Sequence, residues 1–188
     1  DDVKLVFCYP GDDAPVLPIQ KDGSIEFPKG KRPLAKSYTV RHFDAAAGEL
    51  DIDFVKHGTG VATTWALRCK PGDRVHVAGP ARSAFLPRDI DWMLVAGDET
   101  ALPAIGRLLE EAPAGLRVQA FVEVTEPAHQ QEFTTEADAT VTWLFRGTAA
   151  PGTTTLLIDA VRAAQWWPGE VYAWVSGETM SVKPLRRH

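Results

Sequence analysis

The chain has no run of apolar residues long enough to cross a bilayer, so it is not read as an integral membrane protein built of spanning helices. Its opening, Asp1-Asp2-Val3-Lys4, lacks the charged-then-apolar order of a secretory signal, and the expected compartment is the cytoplasm. Only two cysteines occur, Cys8 and Cys69, in neither metal-ligand nor redox spacing. They are expected to be free, buried thiols. Positive charge is also short: the net charge of -5 argues against a general nucleic-acid binder, although a local basic patch could still serve an anionic ligand. No internal repeat or low-complexity tract interrupts the 188 residues. What is present is 45% hydrophobic and 24% charged residues, enough for a buried core beneath an ordinary polar surface. At about 100–200 residues per domain, one large domain or two small ones fit this length.

The chain is organised around Lys36-Ser37-Tyr38-Thr39-Val40-Arg41. Strand alternation sends Lys36, Tyr38 and Val40 to one side and Ser37, Thr39 and Arg41 to the other. A cation, a phenol and hydroxyls set this close suit a ligand with a flat ring and phosphates. Taken alone, the six residues are better read as an ordinary exposed strand in which Tyr and Thr serve β-propensity; the residues that follow favour the ligand.

Before it, residues 2–9 read as a strand, and residues 10–32, rich in Pro, Gly, Asp and Lys, as a long surface loop with a short strand at 24–27. The anchor strand is expected over 37–43, paired as a hairpin with a strand over 49–55. His57-Gly58-Thr59-Gly60-Val61-Ala62-Thr63-Thr64 then leads into a short helix. A glycine-spaced turn opening a helix points free N–H groups at an anion, with Thr63 and Thr64 as added donors; a plain turn and helix is the competing reading. A further strand is expected over 74–78, ending at Gly79-Pro80. Several short strands with one short helix suggest a small antiparallel barrel.

Near Arg88 the pattern changes. Residues 91–96 carry the continuous apolar run Trp92-Met93-Leu94-Val95, the mark of a strand buried on both faces. Gly97-Asp98-Glu99-Thr100 turns the chain into a helix over 101–111, with apolar residues at Leu102, Ile105, Leu108 and Leu109. Strands over 117–124, 140–145 and 171–175, a helix over 156–164 and a helix starting at Met180 complete a strand–helix alternation that predicts a parallel, doubly wound sheet. In such sheets ligands sit at the carboxyl ends of the strands, where Gly97-Asp98-Glu99-Thr100 and Ser176-Gly177-Glu178 fall. The boundary is placed at residues 85–89, giving a β-barrel domain over 1–87 and an α/β domain over 88–188.

In this order, Tyr38-Thr39-Val40-Arg41-His42-Phe43-Asp44, Asp53-Phe54-Val55-Lys56-His57-Gly58, Gly60-Val61-Ala62-Thr63-Thr64-Trp65-Ala66, Gly72-Asp73-Arg74-Val75-His76-Val77-Ala78-Gly79-Pro80, Ala96-Gly97-Asp98-Glu99-Thr100-Ala101-Leu102-Pro103-Ala104-Ile105 and Tyr172-Ala173-Trp174-Val175-Ser176-Gly177-Glu178 resemble the siderophore-interacting protein family. The resemblance covers nearly the whole chain. It implies a flavin-dependent ferric-siderophore reductase on the ferredoxin-reductase plan: an antiparallel Greek-key β-barrel holding FAD, then a Rossmann-like α/β domain holding NADH or NADPH. It places the isoalloxazine against Tyr38 and Thr39, the pyrophosphate before Lys36 and the Gly60, Ala62, Thr63, Thr64 turn, and His57 toward the adenine. Ser37, Asp53 and Val55 complete the flavin set, and Gly97, Asp98, Glu99, Thr100, Gly177 and Glu178 meet the nicotinamide dinucleotide. The acceptor is a ferric siderophore and the protein a monomer, with neither nucleic acid nor membrane as partner. The family carries arginine where Lys36 stands and proline where Val61 stands, so the phosphate contact becomes a point charge and the shape of the turn is altered. It also carries barrel strands before Asp1 and an extension past Arg187.

No side chain is assigned as catalytic. The five histidines, His42, His57, His76, His129 and His188, are scattered and read as ordinary polar residues. Trp65, Trp166, Trp167 and Trp174 read as packing residues. Asp98 and Glu99 read as a solvated strand-end turn or as partners for ribose hydroxyls, with a general acid/base couple as the alternative. Lys56, Arg82, Arg146, Lys183, Arg186 and Arg187 are candidates for steering an anionic chelate, each also readable as a solvated surface charge. The alternative functions are another flavin reductase of the same plan, or a siderophore-binding module without redox work.

Overall fold

A computed structural model describes residues 2–22, 24–26, 30–83 and 85–185. The chain divides into two compact units, Asp1–Ala84 and Phe85–His188.

In the first unit, β1 (Asp2–Phe7) is the centre of an antiparallel sheet, flanked by β4 (Leu34–Thr39) and β7 (His76–Arg82). β2 (Ile19–Lys21) and β3 (Ser24–Glu26) pair as a hairpin inside the long early loop; Phe27, expected to extend β3, lies outside the described residues. β5 (His42–Asp44) and β6 (Glu49–Asp51) form a second hairpin. Leu5, Phe7 and Ala62 are buried, with Leu34, Tyr38, Ile52, Phe54, Val61, Trp65 and Val75 packed around them. This cluster seats α1 (Val61–Arg68) against the face of β4 that carries Leu34 and Tyr38.

The anchor strand is not continuous over 37–43. It begins at Leu34, breaks after Thr39 and resumes at His42, because the chain changes partners: β4 pairs with β1, whereas β5 pairs with β6. At the break Val40 is buried and the Arg41 amide donates to the Asp51 carbonyl at 2.9 Å. The 49–55 strand is likewise cut to Glu49–Asp51, since Ile52 and Phe54 leave the ladder to pack in the core. β7 runs on through Gly79-Pro80 to Arg82 instead of ending there. Its register on β1 shifts between Asp2 and Lys4, a bulge on an edge strand where proline's missing N–H is tolerated. Both cysteines are free but exposed, not buried. Cys8 follows β1 and alternates away from buried Phe7, and Cys69 stands at the C-terminal cap of α1.

The second unit is a four-stranded parallel sheet in the order β10 (Asp138–Phe145), β9 (Arg117–Val124), β8 (Trp92–Asp98), β11 (Val171–Ser176). Every residue of β8 is buried. Met93 and Val95 face α2 (Leu102–Glu110) through Leu102, Ile105 and Leu109. Trp92, Leu94 and Ala96 face α3 (Leu156–Ala163) through Leu157 and Val161. Helices on both faces are what a strand apolar on both sides requires. Trp166 and Trp167 stack edge-on against Trp92, with ring centroids 5.4 and 5.3 Å away. The terminal helix α4 spans only Thr179–Val182, and Arg186, Arg187 and His188 lie outside the described residues. Among the described residues no helix is long and apolar enough to cross a membrane.

Candidate functional site

In the first unit the sequence-predicted residues fall on β4, on the segment after β6 and on the start of α1. Lys36 shares a face with Leu34 and Tyr38, which pack in the same cluster as Val61, Ala62 and Trp65 of α1. Ser37 and Thr39 alternate to the opposite face. Lys36 is exposed and Tyr38 half-buried, its ring 4.7 Å from that of Phe54. Burial pushes the Tyr38 phenol above its ordinary pKa, so it stays a neutral ring with a hydroxyl donor.

The N-terminus of α1 is bare. Gly60, the N-cap residue, is extended and makes no side-chain cap, and the first turn carries no acid. The first intrahelical bond runs from the Thr64 amide to the Gly60 carbonyl at 2.8 Å, which leaves the Val61, Ala62 and Thr63 amides outside the helical ladder. Val61 occupies the first helical position, where a proline would be equally at home. Thr63 is buried and Thr64 half-buried, so Thr64 is the more accessible hydroxyl of the two.

The segment between β6 and α1 is tied back on itself. The Arg41 guanidinium lies 3.9 Å from the Asp53 carboxylate, and His57 Nδ1 is 2.9 Å from the Val55 carbonyl. Asp53 and His57, both exposed, and the half-buried Val55 thereby sit along one short stretch that leads into the bare helix start. An exposed cation, an aromatic ring and an uncapped helix N-terminus fit the phosphates and flat ring of a dinucleotide such as FAD.

In the second unit the carboxyl ends of the strands hold a compact polar cluster. Asp98 ends β8 and is 3% exposed, yet its carboxylate is fully engaged. Its Oδ1 accepts from the Thr100 amide at 2.9 Å and hydroxyl at 2.6 Å, and its Oδ2 accepts from the Glu178 amide at 2.6 Å. One side chain therefore fastens the loop after β8 to the loop after β11. The fit depends on two glycines. An added Cβ on Gly97 would sit 2.6 Å from the Ser176 carbonyl and from Ala101 Cβ, and one on Gly177 2.8 Å from Asp98, at a φ of +144°.

Glu99 is bound as firmly. Both Arg146 Nη groups donate to its carboxylate, one of them at 2.5 Å. The Thr125 hydroxyl bridges the pair, accepting from Arg146 at 2.9 Å and donating to Glu99 at 3.3 Å. Side-chain exposures are 6% for Arg146 and 16% for Glu99. Burial alone would raise the Glu99 carboxyl, but the Arg146 hydrogen bonds and charge outweigh it and hold the group below its ordinary value. The Arg146 guanidinium is held above its ordinary value, chiefly by hydrogen bonding to Glu99. The 97–100 turn is thus not the solvated turn expected from sequence, nor is Arg146 a solvated charge. Neither Asp98 nor Glu99 is a free acid or base.

Glu123, cross-strand neighbour of Asp98, is 1% exposed and accepts from the Thr154 hydroxyl at 2.7 Å. Sequence reasoning missed Glu123, Thr125 and Thr154. The available signal was an acid inside Ala120-Phe121-Val122-Glu123-Val124, a run otherwise apolar enough for a strand buried on both faces. Of the other steering candidates, Lys56 and Lys183 are exposed, while the side chain of Arg82, and Arg186 and Arg187 altogether, are outside the described set. Among the described residues no three His, Cys, Asp or Glu side chains gather as a metal site. Trp174 packs at the edge of the core and, with Leu94, Val161, Trp166, Ala173, Val175 and Leu185, lines a cavity of about 500 Å³.

Comparison with known proteins covers both units. A family model described as a siderophore-interacting FAD-binding domain matches residues 1–84, and one described as a siderophore-interacting protein matches residues 90–188. The crystal structure of a siderophore utilization protein from T. fusca superposes with a TM-score of 0.90 at 42% identity, over 100% of this chain and 71% of that one. The NADPH-dependent ferric-chelate reductase of Escherichia coli is 35% identical over 100% of this chain and 72% of its own length. The ferric vibriobactin reductase of Vibrio cholerae is 32% identical over 91% of this chain and 63% of its own. The chain spans about two thirds of the length of these curated relatives.

Proposed function

The chain belongs to the siderophore-interacting protein family, and from that premise we propose that it serves a flavin-dependent reductase that passes electrons from NADH or NADPH to the iron of a ferric siderophore. In this reading the antiparallel half belongs to a Greek-key barrel that holds FAD (residues 1–87), and the parallel half is a Rossmann-like dinucleotide domain (residues 88–188). The enzyme works as a monomer in the cytoplasm.

The observation that carries the reading is the face shared by Lys36, Tyr38 and the uncapped start of α1. FAD, when bound, accepts two electrons as hydride and releases them one at a time. The residues of this chain do the placing. Tyr38 and Thr39, with Ser37 beside them, contact the ring. Lys36 and the amides and hydroxyls of Gly60, Ala62, Thr63 and Thr64 face the pyrophosphate, and Asp53, Val55 and His57 line the segment toward the adenine. On the second unit the turns Gly97-Asp98-Glu99-Thr100 and Gly177-Glu178, fastened together by the Asp98 carboxylate, present their backbone to the reduced nicotinamide dinucleotide.

The names of the Escherichia coli and Vibrio cholerae relatives support a ferric chelate as acceptor. Hard oxygen ligands hold Fe(III) far more tightly than Fe(II), so one electron loosens the chelate and frees the iron. No nucleophile or general acid is required of the protein. The test is Fe(II) capture by a ferrous-specific chromogenic chelator, using full-length protein reconstituted with FAD, under argon, with NADH or NADPH and a ferric siderophore. Colour that depends on protein, flavin and dinucleotide together is the expected result. Equal colour without protein, or a protein that passes through gel filtration without flavin, overturns the reading.

A further inference from the structure

At the carboxyl edge of a dinucleotide-binding sheet, the end of the second strand reads the adenosine ribose. An acid there accepts from a free 2′-hydroxyl, whereas a spare cation receives a 2′-phosphate. In the parallel sheet of this chain the second strand is β9, which ends Glu123-Val124 and continues into Thr125-Glu126. Arg146 comes off β10 directly beside it: its amide donates to the Val124 carbonyl, and the Gly147 amide to the Thr125 carbonyl, both at 3.0 Å.

Across the strand ends 97–100, 123–126, 145–147 and 176–178, Arg146 is the single Lys or Arg, set among Asp98, Glu99, Glu123, Glu126 and Glu178. The two Nη groups of that one cation are already engaged, and its Nε is buried without a partner. Both its Nη groups bond to Glu99, one also to Thr125, and its side chain is 6% exposed. A 2′-phosphate reaching for Arg146 must evict Glu99, which then lies beside the buried Asp98 and Glu123 with its countercharge lost. A 2′-phosphate that leaves the pair intact meets an edge whose remaining charged side chains are all acidic. A free 2′-hydroxyl meets neither difficulty and finds acceptors in the Thr125 hydroxyl and the exposed Glu126 carboxylate.

We propose that Glu99, by occupying Arg146, makes this edge select the dinucleotide without a 2′-phosphate, so that NADH is preferred to NADPH and Glu99 is the specificity-determining residue. The proposal rests on the reading that a nicotinamide dinucleotide docks at this edge. The Escherichia coli relative is named for NADPH; the preference argued here comes from the charges this chain carries.

The test separates binding from electron transfer. Calorimetric titration of full-length protein with 5′-AMP and with 2′,5′-ADP isolates the contribution of the 2′-phosphate, and anaerobic flavin reduction compares NADH with NADPH. The expected result is at least tenfold weaker binding of 2′,5′-ADP, a matching advantage for NADH in the second-order rate of reduction, and a gap reduced to threefold or less in Glu99→Gln. Equal or tighter binding of 2′,5′-ADP, faster reduction by NADPH, or an unchanged gap in a folded Glu99→Gln variant overturns it. Should Glu99→Gln not fold, the wild-type comparison decides alone. Discrimination between the two nucleotides without flavin reduction by either dinucleotide upholds the selectivity while sinking the reductase reading. Binding of neither nucleotide sinks the selectivity.

Discussion

Replacing Arg146 by Met strips the countercharge from Glu99 and leaves a carboxylate that is 16% exposed beside Asp98 and Glu123. Removing one partner of a buried ion pair costs about 3–5 kcal/mol, because the survivor remains desolvated. The Thr125 hydroxyl still reaches Glu99, so the low end, about 3 kcal/mol, is expected. For a unit of roughly 100 residues each kcal/mol moves Tm by about 4–8 °C, so its transition should fall by about 12 °C or more. The double variant Glu99→Gln with Arg146→Met removes both charges and should recover more than half of the loss. The pH dependence follows from the direction of the Glu99 shift. Its folded-state pKa is lowered, so the stability it contributes is complete above the unfolded carboxyl value of about 4.3 and is lost as pH falls through the folded value. The gap between wild type and Arg146→Met should therefore be widest near neutral pH and narrow as pH falls below the unfolded carboxyl value and through the lowered folded one. Urea and thermal unfolding followed at Trp fluorescence, at pH 7 and at low pH, measure all three quantities. A loss under about 1 kcal/mol at pH 7, or a double variant no better than the single one, refutes the account of a buried, mutually dependent pair.

Gly97→Ala should cost about 1–3 kcal/mol by overpacking, since its Cβ meets a backbone carbonyl that has no rotamer to change; an unaltered Tm contradicts the close approach. Lys36→Glu should weaken FAD binding at least tenfold in a fluorescence titration, while Lys36→Arg keeps or tightens it; equal affinities for the two variants remove Lys36 from the phosphate contact. Cys8 and Cys69 should both react with a thiol reagent under native conditions, and protection of either until denaturant is added contradicts their exposure.

Much of the second unit is legible from sequence because its signals are local. The short apolar run before Gly97 reads as a strand covered on both faces, and the spacing of Leu102, Ile105 and Leu109 as the helix that covers one of them. The strand-end turns 97–100 and 176–178 were readable for the same reason. Their internal bonding was not. Glu99 and Arg146 stand 47 positions apart, and their meeting depends on the lateral order of β8, β9 and β10, which no local pattern encodes. An arginine after a strand looks like any surface charge until the neighbouring strand end supplies its acid. In the first unit the pattern misled where a strand changes partners. Alternation runs unbroken from Ser37 to Phe43, but the ladder passes from β1 to β6 at Val40-Arg41, and alternation does not record which neighbour a strand has. The cysteines misled by residue type alone, since a small apolar side chain at a strand end or helix cap is as easily outside as in.

The central claim, that this chain holds a flavin between a hydride donor and ferric iron, is tested most directly by one anaerobic spectrum. Full-length protein loaded with FAD should bleach near 450 nm on addition of NADH or NADPH and regain its yellow colour on addition of a ferric siderophore, but not of the same siderophore without iron. A flavin that stays oxidised with both dinucleotides, or one that the iron-free siderophore recolours equally well, contradicts the account.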